Sequence, residues 1–277
     1  MAVPGAPSLL EVLQQRFPDS SKTTLRTMLK EDRVRVNGEP ERNAKREIAA
    51  DDQVEVGTQG PRIDPRVRIV YEDADLIVVD KAEHLLSVPT DEVRHENAES
   101  FLSIYARTPV HHVHRLDRDT SGVLVFAKNT HVRDKLQEHF AKHDIDRVYV
   151  AIVFGKLKEP SGTLRSYLVE DRDLRVRIVA DATKGKEAIT HYRTVASGRR
   201  YSMLEVTLET GRRNQIRVQL AAAGHPIVGD TMYGKGRDED LRRLALHAKT
   251  LAFVHPRSGK KVEFTADLPR AFRELKL

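Results

Sequence analysis

The chain has 277 residues, 39% of them hydrophobic and 32% charged, with a formal net charge of +6. This suits one or two globular domains and an anionic partner. There is no cysteine, which excludes disulfides, thiolate metal sites and a cysteine nucleophile, and points to a reducing compartment.

Near the start, Ala2 to Leu10 is broken by Pro4, Gly5 and Pro7 and lacks a basic opening, so no signal sequence is expected. The longest apolar runs, such as Gly122 to Ala127, are strand-sized and far short of a membrane span. A cytoplasmic protein with no membrane segment is expected.

In chain order, Pro18-Asp19-Ser20-Ser21 supplies capping residues and predicts a helix from about Lys22 to Glu31. Leu25, Met28 and Leu29 form its apolar stripe, while Lys22, Arg26 and Lys30 recur every four residues and share another face. A strand, Arg33 to Val36, turns at Asn37-Gly38. Its alternation sends Val34 and Val36 inward and Arg33 and Arg35 outward. Gln53 to Val56 is a closing strand. Residues 16–46 hold nine Lys or Arg against five Asp or Glu, a patch that reads equally as a polyanion-binding face and as a solvated one. Gly57-Thr58-Gln59-Gly60-Pro61 is a linker, so domains are expected at 1–58 and 65–277.

The second region is strand-rich. Strands are predicted at Arg68–Tyr71, Asp75–Asp80, Gly122–Ala127, Arg147–Phe154, Tyr201–Glu209, Thr250–Val254 and Lys261–Phe264. Helices are predicted at Thr130–Lys142 and at Asn214–Ala223, which ends at Gly224. The mixture predicts an α+β fold with a mixed, mainly antiparallel sheet.

Three segments place polar groups where a plain scaffold would not. His114-Arg115-Leu116-Asp117-Arg118-Asp119-Thr120-Ser121-Gly122 runs straight into a strand. Such loops at a sheet edge favour function, and Arg115 and Arg118 would hold Asp117 ionised; a salt-bridged surface turn is the competing reading. Thr210-Gly211-Arg212-Arg213-Asn214-Gln215-Ile216-Arg217 sets arginines at a helix start, an anion site or a plain basic cap. Tyr149, on the strand face opposite Val148, Val150 and Ile152, can stack on a base or simply pack. His111, His112 and His114 alternate faces and lack further ligands, so no metal site is expected. Ser121 has no G-x-S-x-G elbow around it.

Together these segments resemble the RluA-type pseudouridine synthases. The resemblance rests on Ile69 to Lys81, His114 to Lys128, the Tyr149 strand and Gly211 to Gly234, which stand in the family's order. The first region resembles the small S-four-like (αL) RNA-binding module through its helix, basic strand and Val36-Asn37-Gly38 turn, with Ser8-Leu9-Leu10 in place of the usual basic opening.

The resemblance implies an isomerase that converts specific uridines of structured RNA to pseudouridine, with large-subunit ribosomal RNA as the expected substrate. Transfer RNA, or a catalytically silent RNA-binding role, stands as the alternative. It implies Asp117 as nucleophile, Arg115 as the side chain filling the helix when uridine flips out, Tyr149 stacking on the uracil and helping to remove the proton from carbon 5, and Arg217 pairing with Asp117. Lys22, Arg26, Lys30, Arg33, Arg35 and Arg213 would contact RNA. An isomerisation needs no cofactor and no metal, and a monomer is the default. Whether Asp117 attacks ribose, attacks the base or takes a ribose proton is left open. Asn214 and Gln219 stand where the family often has histidines, and Ala82-Glu83-His84 replaces Pro-Ala-Gly; altered substrate contacts are expected from these.

Overall fold

The computed structural model describes residues 6–31, 33–57, 63–142, 144–171, 175–234 and 241–275. The expected linker lies, from Thr58 onward, outside the described residues, as do Met1 to Gly5. The chain divides into two compact units, Met1–Arg62 and Ile63–Leu277.

In the first unit, α1 (Leu9–Arg16) opens on a capping box. The Ser8 hydroxyl accepts the Glu11 amide, and the Glu11 carboxylate accepts the Ser8 amide at 2.7 Å. This Ser-x-x-Glu signal escaped the sequence reading. The next helix, α2 (Lys22–Lys30), is capped by Ser21. Strand β1 (Val34–Val36) pairs antiparallel with β2 (Glu39–Pro40) and β3 (Val54–Val56). Val34 and Val36 are buried with Leu9, Leu13, Leu25 and Leu29, and Arg35 is exposed. Lys22, Arg26 and Lys30 are exposed along α2. Arg33 is half-buried ahead of β1 and donates to the Gly57 carbonyl at 3.2 Å, while Arg35 donates to the Gly38 carbonyl. Backbone carbonyls thus engage both arginines.

The second unit runs β4 (Val67–Glu72), β5 (Leu76–Lys81), α3 (Ala98–Ala106), β6 (His111–His112), β7 (Ser121–Ala127), α4 (Thr130–Ala141) and β8 (Asp146–Phe154). It continues through β9 (Ser161–Glu170), β10 (Val176–Val179), β11 (Lys186–Ser197), β12 (Tyr201–Leu208), α5 (Gln215–Ala222), β13 (Leu246–Val254), β14 (Lys261–Thr265) and α6 (Arg270–Glu274). The sheet order is β10-β9-β11-β12-β8-β13-β7-β5-β4, with β14 on β13 and β6 on β7. Among the described residues only β7 and β13 pair in parallel. This is the α+β fold with a mixed, mainly antiparallel sheet that the strand patterns predict.

Strand β7 is buried along its whole length because the sheet is covered on both faces there. Leu124 and Phe126 pack into one core, Val123 and Val125 into the other, which explains its unbroken apolar run. At its start Gly122 has φ +117°, and a Cβ there would lie 2.1 Å from the Ala248 carbonyl oxygen. Only glycine allows β13 this approach, and the approach fixes where the loop at 114–120 leaves the sheet.

Candidate active site

Asp117 sits at the meeting point of three cavities. The first, about 660 Å³, is lined by His114, Phe140, Arg147, Tyr149, Asn214 and Arg217. The second, also about 660 Å³, is lined by Lys184, Lys186, Arg212 and Arg213. The third, about 1090 Å³, is lined by Ser87, Arg94, Arg118 and Met232. Arg115 and Asp117 border all three. The loop before β7, strand β8 and the start of α5 therefore bring together Asp117, Tyr149, Arg115, Arg213 and Arg217. Lys22, Arg26, Lys30, Arg33 and Arg35 belong to the other unit.

The loop carrying Asp117 is held from beneath. Its backbone turns through a Thr120 amide bond to the Asp117 carbonyl at 3.1 Å. Ser87 Oγ donates to the Leu116 carbonyl at 2.9 Å and accepts the Leu116 amide at 3.0 Å. Lys81, fully buried at the end of β5, donates to the carbonyls of Ala82, Leu85 and Arg118 at 2.9, 2.7 and 3.2 Å. Burial pulls its ammonium down to about 7, against the opposing pull of Asp117, Asp119 and Glu83. Nothing in the sequence marks Lys81 for this role, because a lysine at a strand end is ordinarily solvated.

The side chain of Asp117 has no hydrogen bond or ion pair among the described residues, and its electrostatics depart from expectation. Burial raises its carboxyl above the ordinary range, and this outweighs the nearby charges of Arg217, Arg213, Arg115 and Lys81. The expected clamp by flanking arginines is not formed. Arg118 lies 3.5 Å from Asp119 instead, and Arg115 is exposed with no hydrogen bond or ion pair among the described residues.

Arg217 is also placed differently from the expectation. Its fork closes on Asp230, with Nε and Nη2 each 2.8 Å from a carboxylate oxygen, both side chains being almost wholly buried. Asp230 further accepts the amides of Met232 and Tyr233 at 3.0 Å. Arg217 thus acts on Asp117 through space and not as its bonded partner. Arg213 is paired with Glu170 at 2.7 Å, so two of the arginines expected to form an open anion site already hold carboxylates. Asp230 lies within the Gly211 to Gly234 run, but its pairing with Arg217 was not legible there, since the turn that brings it back to α5 lies 13 residues on.

Tyr149 leaves β8 into the first cavity and is nearly buried. Burial pushes its phenol up, so the hydroxyl keeps its proton at neutral pH. To accept a proton it must pass its own onward. His114 is held neutral by burial, at about 3; it stacks on Phe140 at 4.5 Å and its Nε2 accepts the Val125 amide. Ser121 lies outside the three cavities, bonded to His247 at 2.8 Å and accepting from Arg243.

The three departures resolve into distinct physical roles. Asn214 caps α5 with φ +50°, a conformation asparagine tolerates better than most residues, and it lines the first and third cavities. Gln219 does not line these cavities. Its amide donates to the Leu164 and Ala188 carbonyls and to Ser166, and its oxygen accepts from Thr190 at 2.6 Å. The expected change in substrate contacts therefore does not hold for Gln219, which ties α5 to β9 and β11. In the third, Glu83 pairs with Arg243 at 2.7 Å, and His84, at φ +61°, bonds Asp119 at 3.0 Å.

A family model described as RNA pseudouridylate synthase matches residues 75–222, which include the Asp117 loop, the Tyr149 strand and α5. Ribosomal large subunit pseudouridine synthase D of Pasteurella multocida is 32% identical over 296 residues, covering 96% of this chain and 89% of that protein. The protein of the same name from Haemophilus ducreyi is 33% identical, covering 96% and 88%. Among solved structures, human RNA pseudouridylate synthase domain containing 4 shares the fold at a TM-score of 0.62 and 23% identity, over 74% of this chain and 90% of that one. A sheet with these relatives, closing on one unpaired carboxylate beside a buried tyrosine, places the chain in the RNA pseudouridylate synthase family, as an isomerase acting on uridines in RNA.

Proposed function

We propose that this enzyme isomerises uridines of large-subunit ribosomal RNA, with Asp117 as its nucleophile. The observation that carries this reading is the convergence of three cavities on a carboxylate with no partner among the described residues. A flipped nucleotide needs one pocket for its base and two grooves for the strand on either side, and a reacting carboxylate must not be tied up by a neighbour. The relatives' names support the ribosomal target.

In this reading the uracil enters the first cavity and stacks on Tyr149. Arg115, exposed and unpaired at the junction, fills the gap left in the RNA. Arg213 and Arg217 set the positive field around Asp117. The first unit is an S-four-like RNA anchor, with Lys22, Arg26, Lys30, Arg33 and Arg35 contributing its charge. The enzyme works as a monomer in the cytoplasm and uses neither cofactor nor metal; among the described residues no helix is long and apolar enough to cross a membrane.

The test is tritium release from unmodified large-subunit ribosomal RNA carrying tritium at carbon 5 of uracil, with transfer RNA in parallel. Release from the ribosomal substrate is expected, and release from transfer RNA alone would contradict the assigned target.

A further inference from the structure

Arg147 is a half-buried cation that has no anion beside it among the described residues. It stands two residues before Tyr149 on β8, so both side chains leave the same strand face, and both line the first cavity with Asp117. Its Nε is buried with no hydrogen-bond partner among the described residues. Its Nη2 reaches only the carbonyls of Leu208 and Glu209, both at 3.4 Å, beyond the usual range for such bonds. No carboxylate among the described residues pairs with it, whereas Arg213, Arg217 and Arg243 each have one.

Packing holds the guanidinium in place. It lies 5.6 Å from the centre of the Phe140 ring. A Cβ at position 211 would come within 2.7 Å of its Nη1, so the glycine there leaves it room. A buried guanidinium N–H kept without an acceptor costs stability, a cost that a charge arriving during function would offset.

We infer that Arg147 is a catalytic residue that receives, by hydrogen bonds to a ring carbonyl oxygen, the negative charge carried by the uracil during turnover. The inference rests on the reading of the first cavity as the uracil pocket. When the C1′–N1 bond breaks, its electron pair goes to the ring, which becomes an anion delocalised over N1 and the carbonyl oxygens. Asp117 compensates C1′ by bonding to it or by taking the C2′ proton. The turned ring returns the pair through C5, Asp117 is released or gives its proton back, C5 loses its proton and N1 gains one. If Asp117 instead adds to the base, the charge falls on the same oxygens. A guanidinium held in place beside the ring suits this charge.

An RNA phosphate could use the same cation, but the kinetics differ. A phosphate is present before and during reaction, so losing its contact raises KM and leaves kcat alone. Ring charge develops only as the bond breaks, so losing its partner lowers kcat.

The experiment uses the full chain and RNA tritiated at uracil C5, comparing wild type with Arg147→Met and Arg147→Lys and recording kcat, KM, RNA affinity and melting temperature. Arg147→Met is expected to lower kcat by about a hundredfold or more with KM and affinity little changed, and Arg147→Lys is expected to recover part of it. If Arg147→Met fails to fold, Arg147→Gln takes its place and the same kcat loss is expected. An unchanged kcat, or a raised KM alone, overturns the inference while wild-type release leaves the assigned function standing. No release by wild type overturns both.

Discussion

The buried pair of Arg217 and Asp230 offers the sharpest quantitative test of how the site is built. Its two side chains are 6% and 0% exposed and meet through two bonds of 2.8 Å. Removing one partner strands a buried charge, at a cost of about 3–5 kcal/mol. Asp230→Leu also frees the Met232 and Tyr233 amides, so it belongs at the upper end. Replacing both, as Arg217→Met with Asp230→Leu, removes charge and counter-charge together and is expected to cost much less than the sum of the single changes.

Denaturant unfolding of the four proteins gives the cycle directly, with a coupling of about 2 kcal/mol or more expected for groups in contact. The double variant should also fold yet turn over slowly, since Asp117 has lost its largest compensating charge. Additive single costs, or a double variant with wild-type activity, would refute the placement of Arg217 between structure and catalysis.

Other expectations follow from the same geometry. Asp117 is held protonated to higher pH in the fold than in the unfolded chain, so stability falls as pH rises between the two values; each unit of that difference corresponds to about 1.4 kcal/mol. Asp117→Asn should therefore melt higher than wild type at neutral pH, with the advantage vanishing below about pH 4, and a variant less stable at pH 7 would contradict this. Single-turnover rate should rise with pH through an inflection above the ordinary aspartate range, as the ionised form of Asp117 appears. Gly122→Ala combines a strained φ with contact against the Ala248 carbonyl, and should cost roughly 3 kcal/mol or more in denaturant unfolding. Deleting residues 1–62 should weaken RNA binding and flatten its salt dependence; unchanged filter-binding curves would remove the first unit as an anchor.

The sequence made legible what depends on local pattern. The alternation at Val34 and Val36, the apolar run of β7 and the stripe of Leu25, Met28 and Leu29 all predicted burial that the structure shows. Strands β9 to β11 were missed because most of their residues are half-buried or exposed, so their polar composition hides the strand period. The site was legible as segments and not as contacts. Asp117, Tyr149 and Arg217 stood in the segments that the sequence singled out, but Asp230 as the partner of Arg217, Lys81 beneath the loop and Arg147 without an anion depend on chain reversals that no local window contains. The direction of the Asp117 shift was misread for the same reason, since neighbouring arginines are visible in sequence and burial is not.

Tritium release from C5-labelled large-subunit ribosomal RNA, comparing wild type with Asp117→Asn at matched RNA occupancy and with chelator present, decides whether Asp117 is the nucleophile. Release by wild type, none by Asp117→Asn, and equal RNA affinity of the two are expected. Release by Asp117→Asn at a rate near that of wild type would contradict that role.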